Sequence, residues 1–162
     1  MSQYMSFFIK NNAEFIPIGS YSCSHPLCNV AHYGIPYEHI TPITKDRISD
    51  WLEFAEAEKK SHEDIIEERN HTVNILMNAS NPLEEKIDYI NEVEDLNRED
   101  KEEIELITDA MHYFKFLINI IDEAEAKAII DNSLISLTHY IYAGIEINSP
   151  IMDDIEEGSH KC

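Results

Sequence analysis

From Ile48 to Leu76 the chain carries nine residues, Ile48, Leu52, Ala55, Lys59, His62, Ile66, Arg69, Val73 and Leu76, at alternating intervals of four and three. That spacing places all of them on one side of an α-helix. A stripe of this length must be covered by a second element, so the seam predicts a long helix packed on another. The helix has about 33 residues and is about 50 Å long at 1.5 Å per residue. Thr44 is its expected N-cap, with Arg47 rather than a glutamate at the third position, so the capping box is incomplete. Asn81-Pro82 ends it, because a residue before proline avoids the α region. The seam is apolar at its ends and polar in the middle. Lys59, His62 and Arg69 either pair with acids such as Glu58 or Asp64 at a half-solvated surface, or they specify register and oligomeric state. In the second case a homodimer through residues 45–79 follows.

More helix is expected downstream. Pro82 suits a first helical turn, with Leu83, Ile87, Ile90 and Val93 as the apolar stripe. Asn97 followed by Asp100 has the form of a new N-cap and predicts a break. Ile104, Ile107, Met111, Phe114, Ile118 and Ile121 make the most apolar seam and are the expected core. A cap-like Asp131-Asn132-Ser133 precedes Leu134, Leu137, Ile141 and Ile145, read as a last helix closed by Gly144 and Ser149-Pro150. Upstream, two apolar runs around Asn11-Asn12 predict a β-hairpin, and Pro17 assigns its strand to a sheet edge. A lone hairpin is marginal in water and should lie on the helices or on a second copy of the chain. The expected fold is mainly α: an antiparallel bundle of three to four long helices with a small N-terminal β-hairpin. Residues 1–44 hold the hairpin and a Cys/His-containing loop, 45–147 the helical bundle and 148–162 an acidic tail.

The charge narrows the functions. Thirty-two acidic residues stand against 12 basic ones, a formal net charge of -20. Nucleic acids and anionic membranes need a cationic surface, so direct binding to either is excluded, and a basic partner is favoured. No run approaches the roughly 18 apolar residues of a membrane span. Met1 to Lys10 has no basic n-region or cleavage site, and the cysteine count is odd (Cys23, Cys28 and Cys162), so a reducing cytoplasm is expected. Residues 80–106 carry the densest charge, with eleven acids. Distributed round a helix they give about one carboxylate per 3 Å, near the 3.4 Å phosphate rise of one DNA strand. Glu84, Glu85, Asp88, Glu92, Asp95, Glu99 and Glu102 are the candidate partner-binding residues. A solvated helix face is the plainer reading of the same pattern.

Three groups suggest chemistry. Cys23, His25, Cys28 and His32 are of the types that hold zinc, although Cys23 and Cys28 enclose four residues and no second cysteine pair follows. Glu68 with His71, and Asp109 with His112, have the carboxylate-x-x-His spacing that puts both groups on one helix face. Two such pairs resemble part of the ferritin-like di-iron pattern. Glu53-x-x-Glu56 with Glu85-x-x-Asp88 or Glu92-x-x-Asp95 resembles the all-α nucleotide pyrophosphohydrolases, in being helical and acidic, and would imply magnesium bound to substrate phosphates. No nucleophile elbow, phosphate loop or dinucleotide fingerprint is present.

The function expected from the sequence is that of a small, non-enzymatic interaction protein, a regulator or inhibitor without a cofactor. It would bind a basic or nucleic-acid-binding protein through helical acidic faces, in the sharpest form as a nucleic-acid mimic, with exposed Tyr21, Tyr33 and Tyr37 as anchors. A metal-dependent helical enzyme, phosphohydrolase-like or di-metal, is the alternative.

Overall fold

The computed structural model describes residues 3–11, 13–31, 35, 39–130 and 140–147. The elements run β1 (Gln3–Asn11), β2 (Glu14–Ser22), α1 (Pro26–Ala31), β3 (Thr41–Ile43), α2 (Lys45–Met77), α3 (Leu83–Ile130) and β4 (Ile141–Ile147). The strands form one antiparallel sheet in the order β2-β1-β4-β3. Two long antiparallel helices and the short α1 accompany it.

The N-terminal hairpin forms as expected, with Asn11 opposite Glu14, and Pro17 lies on an edge strand. Pro42 does the same on β3, so each sheet edge has a residue that cannot donate to a further strand. Thr44 caps α2, its Oγ1 accepting the Arg47 N–H at 3.2 Å. The helix then runs 33 residues without interruption.

The expected bundle of three to four long helices is corrected. Among the described residues there are three helices, and α1 has only six residues. Residues 141–147, read as the end of a last helix, are strand β4 between β1 and β3. Ile141, Ala143 and Ile145 are all buried in the main core, an alternation of period two. Ile141 and Ile145 also fit a helical stripe, because a short apolar run satisfies both periods. The cap-like residues 131–133 and Leu134 and Leu137 lie outside the described residues, as does the acidic tail.

The break expected at Asn97 is absent, and α3 is continuous for 48 residues. An asparagine or aspartate interrupts a helix when its side chain bonds nearby backbone. Here both side chains cross to α2 instead. Asn97 Nδ2 donates to Asn70 Oδ1 at 3.0 Å. Asp100 accepts from the His62 ring nitrogen Nδ1 at 2.6 Å and from the Arg69 guanidinium. At the far end Lys45 pairs with Asp122, and at the turn Lys86 Nζ donates to the Ala79 carbonyl at 2.6 Å. The two helices thus keep one antiparallel register from end to end.

The main core lies at the root of this helical hairpin. It gathers Met5, Phe7, Tyr21, Ile43, Ile141 and Ile145 from the sheet, Leu27 and Val30 from α1, Ile48, Trp51 and Ala55 from α2, and Ile107, Phe114, Leu117 and Ile121 from α3. The apolar seam expected between 104 and 121 is its centre. Beyond Ala55 on α2 no residue is buried, and on α3 only Val93 and Asn97 are buried before Ile107. Residues 56–77 and 83–104 therefore form a two-helix arm extending about 33 Å past the core.

Asp100 is the polar centre of that arm, and its side chain is 14% exposed between those of His62 and Arg69. The hydrogen bond from His62, with help from Arg69, holds its carboxyl below the usual carboxylate range against the opposing effect of burial. A group whose folded value is lowered stabilises fully above its unfolded value, and the benefit is lost as pH falls through the folded value. Asp100→Ala should therefore cost about 1–2 kcal/mol at neutral pH, between the values typical of exposed and fully buried pairs. Urea melts should show this gap between wild type and variant shrinking as pH falls below the ordinary aspartate range.

Candidate functional site

The outer face of α3 is the candidate interaction surface. Glu84, Asp88, Glu92, Asp95, Glu99 and Glu102 follow one another by three or four residues, and Glu85 lies beside the first. At 3.6 residues per turn all seven fall within an arc of about 100°. Asn97 and Asp100, which bond across to α2, lie on the other side of the helix. All seven carboxylates are exposed. The eleven acids of this stretch encircle the helix, but these seven make one row, about 27 Å long. Helical spacing fixes the row, and the inward turn of Asn97 and Asp100 aims it at solvent.

The end of the arm adds a second feature. Ile75, Met77, Leu83 and Ile87 are 59%, 55%, 70% and 48% exposed on either side of the connecting turn. Sequence reasoning placed Leu83 and Ile87 in an apolar stripe and did not single out Ile75 or Met77, which flank the seam residue Leu76. Among the described residues, their position at the end of the arm leaves them exposed. Of the expected aromatic anchors, Tyr21 is only 1% exposed and packs against His25 and Tyr113, whereas Tyr33 and Tyr37 lie outside the described residues. The burial of Tyr21 follows from its place on β2, where it alternates inward with Gly19.

The metal candidates are arranged as follows. Cys23 is half-buried, and His25 and Cys28 are buried at the start of α1; His32 lies outside the described residues. His25 Nδ1 accepts the Leu27 N–H at 3.1 Å, which leaves Nε2 as its protonated nitrogen, 3.5 Å from Asp109 Oδ2. Cys28 Sγ faces the Ser22 carbonyl at 3.2 Å. Among the described residues no three His, Cys, Asp or Glu side chains are grouped to hold a metal ion. The constant register also separates the other pairs. Glu68 and His71 lie midway along the arm, whereas Asp109 and His112 sit at its root. Glu53 and Glu56 stand at the root and Glu85 and Asp88 near the turn, roughly 40 Å away along the axis. Lys59 is half-buried beside the arm seam; His62 and Arg69 use Asp100 of α3 rather than Glu58 or Asp64. The seam of α2 is thereby filled from within the same chain.

No known protein family, curated protein or solved structure matches the chain. No helix among the described residues is long and apolar enough to cross a membrane.

Two groups near α1 report on local packing. The hydrogen bond with Cys28 lowers the Cys23 thiol below its ordinary value, against a smaller opposing effect of burial. A lowered thiol holds more thiolate near neutral pH, and the thiolate is the nucleophile. In a Cys162→Ser background, iodoacetamide should modify Cys23 before Cys28, and Cys28→Ala should slow that reaction, as read by peptide mapping over time. Gly19 is the second group. A Cβ there would overlap the hydroxyl of Tyr113, whose side chain is buried. Gly19→Ala should lower stability by about 1–3 kcal/mol in thermal melts.

Proposed function

We propose that the protein is a non-enzymatic interaction module that presents the outer, acidic face of its helical arm to a basic protein partner. The observation that carries this reading is the single row of exposed carboxylates from Glu84 to Glu102 on a helix face turned away from the core. A net charge of -20 extends the attraction, raising the encounter rate with a cationic surface. Exposed Ile75, Met77, Leu83 and Ile87 supply apolar contact that charge alone does not. Fixed register keeps the row straight, so a partner meets it without first ordering the helices.

The partner this row fits is a basic protein surface rather than a site read in the spacing of DNA. Successive carboxylates in the row lie about 4.5–6 Å apart along the axis, wider than the 3.4 Å phosphate rise. A regulator or inhibitor that occludes a cationic patch is the role consistent with such a surface.

The test is affinity capture of the partner from the source cell, followed by titration calorimetry with the purified pair. Replacing Glu84, Asp88, Glu92, Asp95, Glu99 and Glu102 by their amides should weaken binding by at least about tenfold and flatten its salt dependence. The same number of amides on the outer face of α2, including Glu53, Glu56, Glu63 and Glu67, should have a much smaller effect. Equal losses from the two sets would reduce the surface to bulk charge, and affinity insensitive to salt would end the proposal.

A further inference from the structure

At the root of the arm, on the side opposite the seam with α2, α3 meets strand β2 across a cleft of about 230 Å³. We propose that this cleft binds a small organic ammonium ion, with the Asp109 carboxylate as counter-charge and the exposed Phe116 ring as the aromatic wall, in front of the buried Tyr21 and Tyr113. Ile18 and His112 complete the lining.

The cleft is built by a local irregularity in the sheet. Phe7 pairs with Gly19 but Phe8 pairs with Pro17, so Ile18 is the extra residue of a β-bulge. Regular alternation would turn Ile18 to the opposite face from Gly19. The bulge lets Ile18 line the cleft while Gly19 admits the Tyr113 ring against the strand. Tyr113 lies 5.0 Å from the Tyr21 ring and 5.6 Å from the Phe116 ring, centroid to centroid, so the two buried tyrosines back the exposed Phe116 ring. Phe116 is 45% exposed and the Asp109 side chain 44%, which leaves the cleft open to solvent on that side.

The lining selects the ligand. A neutral apolar molecule would strip water from the Asp109 carboxylate and offer nothing in return. An anion would meet that carboxylate in a chain of net charge -20. A hard metal cation asks for several oxygen ligands, and no group of three candidate ligands exists among the described residues. An organic ammonium gains from the carboxylate and from the negative face of the Phe116 ring at once. The volume lies below the roughly 300–1,000 Å³ of pockets for drug-sized molecules, so the ligand is small.

The probe is phenethylammonium, titrated into the full ¹⁵N-labelled chain at pH 8, with 2-phenylethanol as its neutral counterpart. Saturable amide shifts are expected around Ile18, Asp109 and Phe116, with the alcohol weaker by about tenfold. Asp109→Asn should weaken the ammonium by a similar factor. Glu94→Gln, an exposed acid on the same helix about 22 Å from Asp109 along the axis, should leave it unchanged. Phe116→Ala removes one wall at an exposed position and should weaken binding severalfold, which keeps the test open if Asp109→Asn disturbs the contact with His25. Equal binding of the alcohol, full affinity in both the Asp109 and Phe116 variants, or equal losses from Glu94→Gln and Asp109→Asn would each overturn the proposal. So would shifts that never saturate.

Discussion

Asp100 is the charged tie between the two helices of the arm. Its carboxylate takes donors from His62 and Arg69, seven residues and two turns apart on α2. Sliding one helix past the other by a turn would leave one of these donors facing apolar side chains, with Asp100 short of a partner. Unmet charges in a half-buried seam cost more than such a pair yields, so the polar centre acts mainly against wrong registers. The apolar seam beyond the core could not do this alone. Ile66, Val73, Ile90 and Ile104 are only half-buried, and one aliphatic contact is much like the next.

Fixing the arm has consequences at both ends. At the root, Lys45 meets Asp122 and the most apolar part of α3 lies over the sheet, with Phe114 and Leu117 fully buried. There α3 faces two ways, toward α2 through one side and toward β1 and β2 through Tyr113. Burial pushes the Tyr113 phenol far above its ordinary range, so its hydroxyl stays neutral at physiological pH. The sheet carries a proline on both edge strands, and each removes one donor that a further strand would use. The other face of the sheet carries a small aromatic layer of Phe8 and Tyr142, with Phe15 5.0 Å from Tyr142 and the Lys10 ammonium 5.7 Å from the same ring.

Much of this was legible in the residues. The four-and-three spacing from Ile48, the Thr44 cap and the Pro82 stop locate α2 and the start of α3, because these signals act within a few residues of one another. Pro17 located an edge strand for the same local reason. Ile141 to Ile147 was not legible, since helix and strand periods coincide over so short a run, and partners in β1 and β3 decide it. Asn97 and Asp100 misled in the opposite way: their short polar side chains favour caps, yet Arg69, His62 and Asn70 on another helix claimed them. The carboxylate row was legible as a list of residues, but its orientation required the position of α2. The cleft by Asp109 was not legible at all, because a bulge between Phe7 and Phe8 leaves no mark in composition or period.

The row on the arm and the cleft at its root use carboxylates under different physics, and this separates them. Charges on the arm stand in water, where attraction falls off over about 8 Å at physiological ionic strength. They favour encounter over grip, and salt weakens them. Asp109 lines a cleft beside the Phe116 ring, so the proposed cation would meet a ring face as well as a charge, and its binding would depend less on salt than attraction to the row does. Both groups sit on α3, with roughly 10 Å of helix between Glu102 and Asp109. A continuous helix rather than the broken one suggested by Asn97 is what joins them. Helical spacing along that one element therefore sets where the row points relative to the cleft.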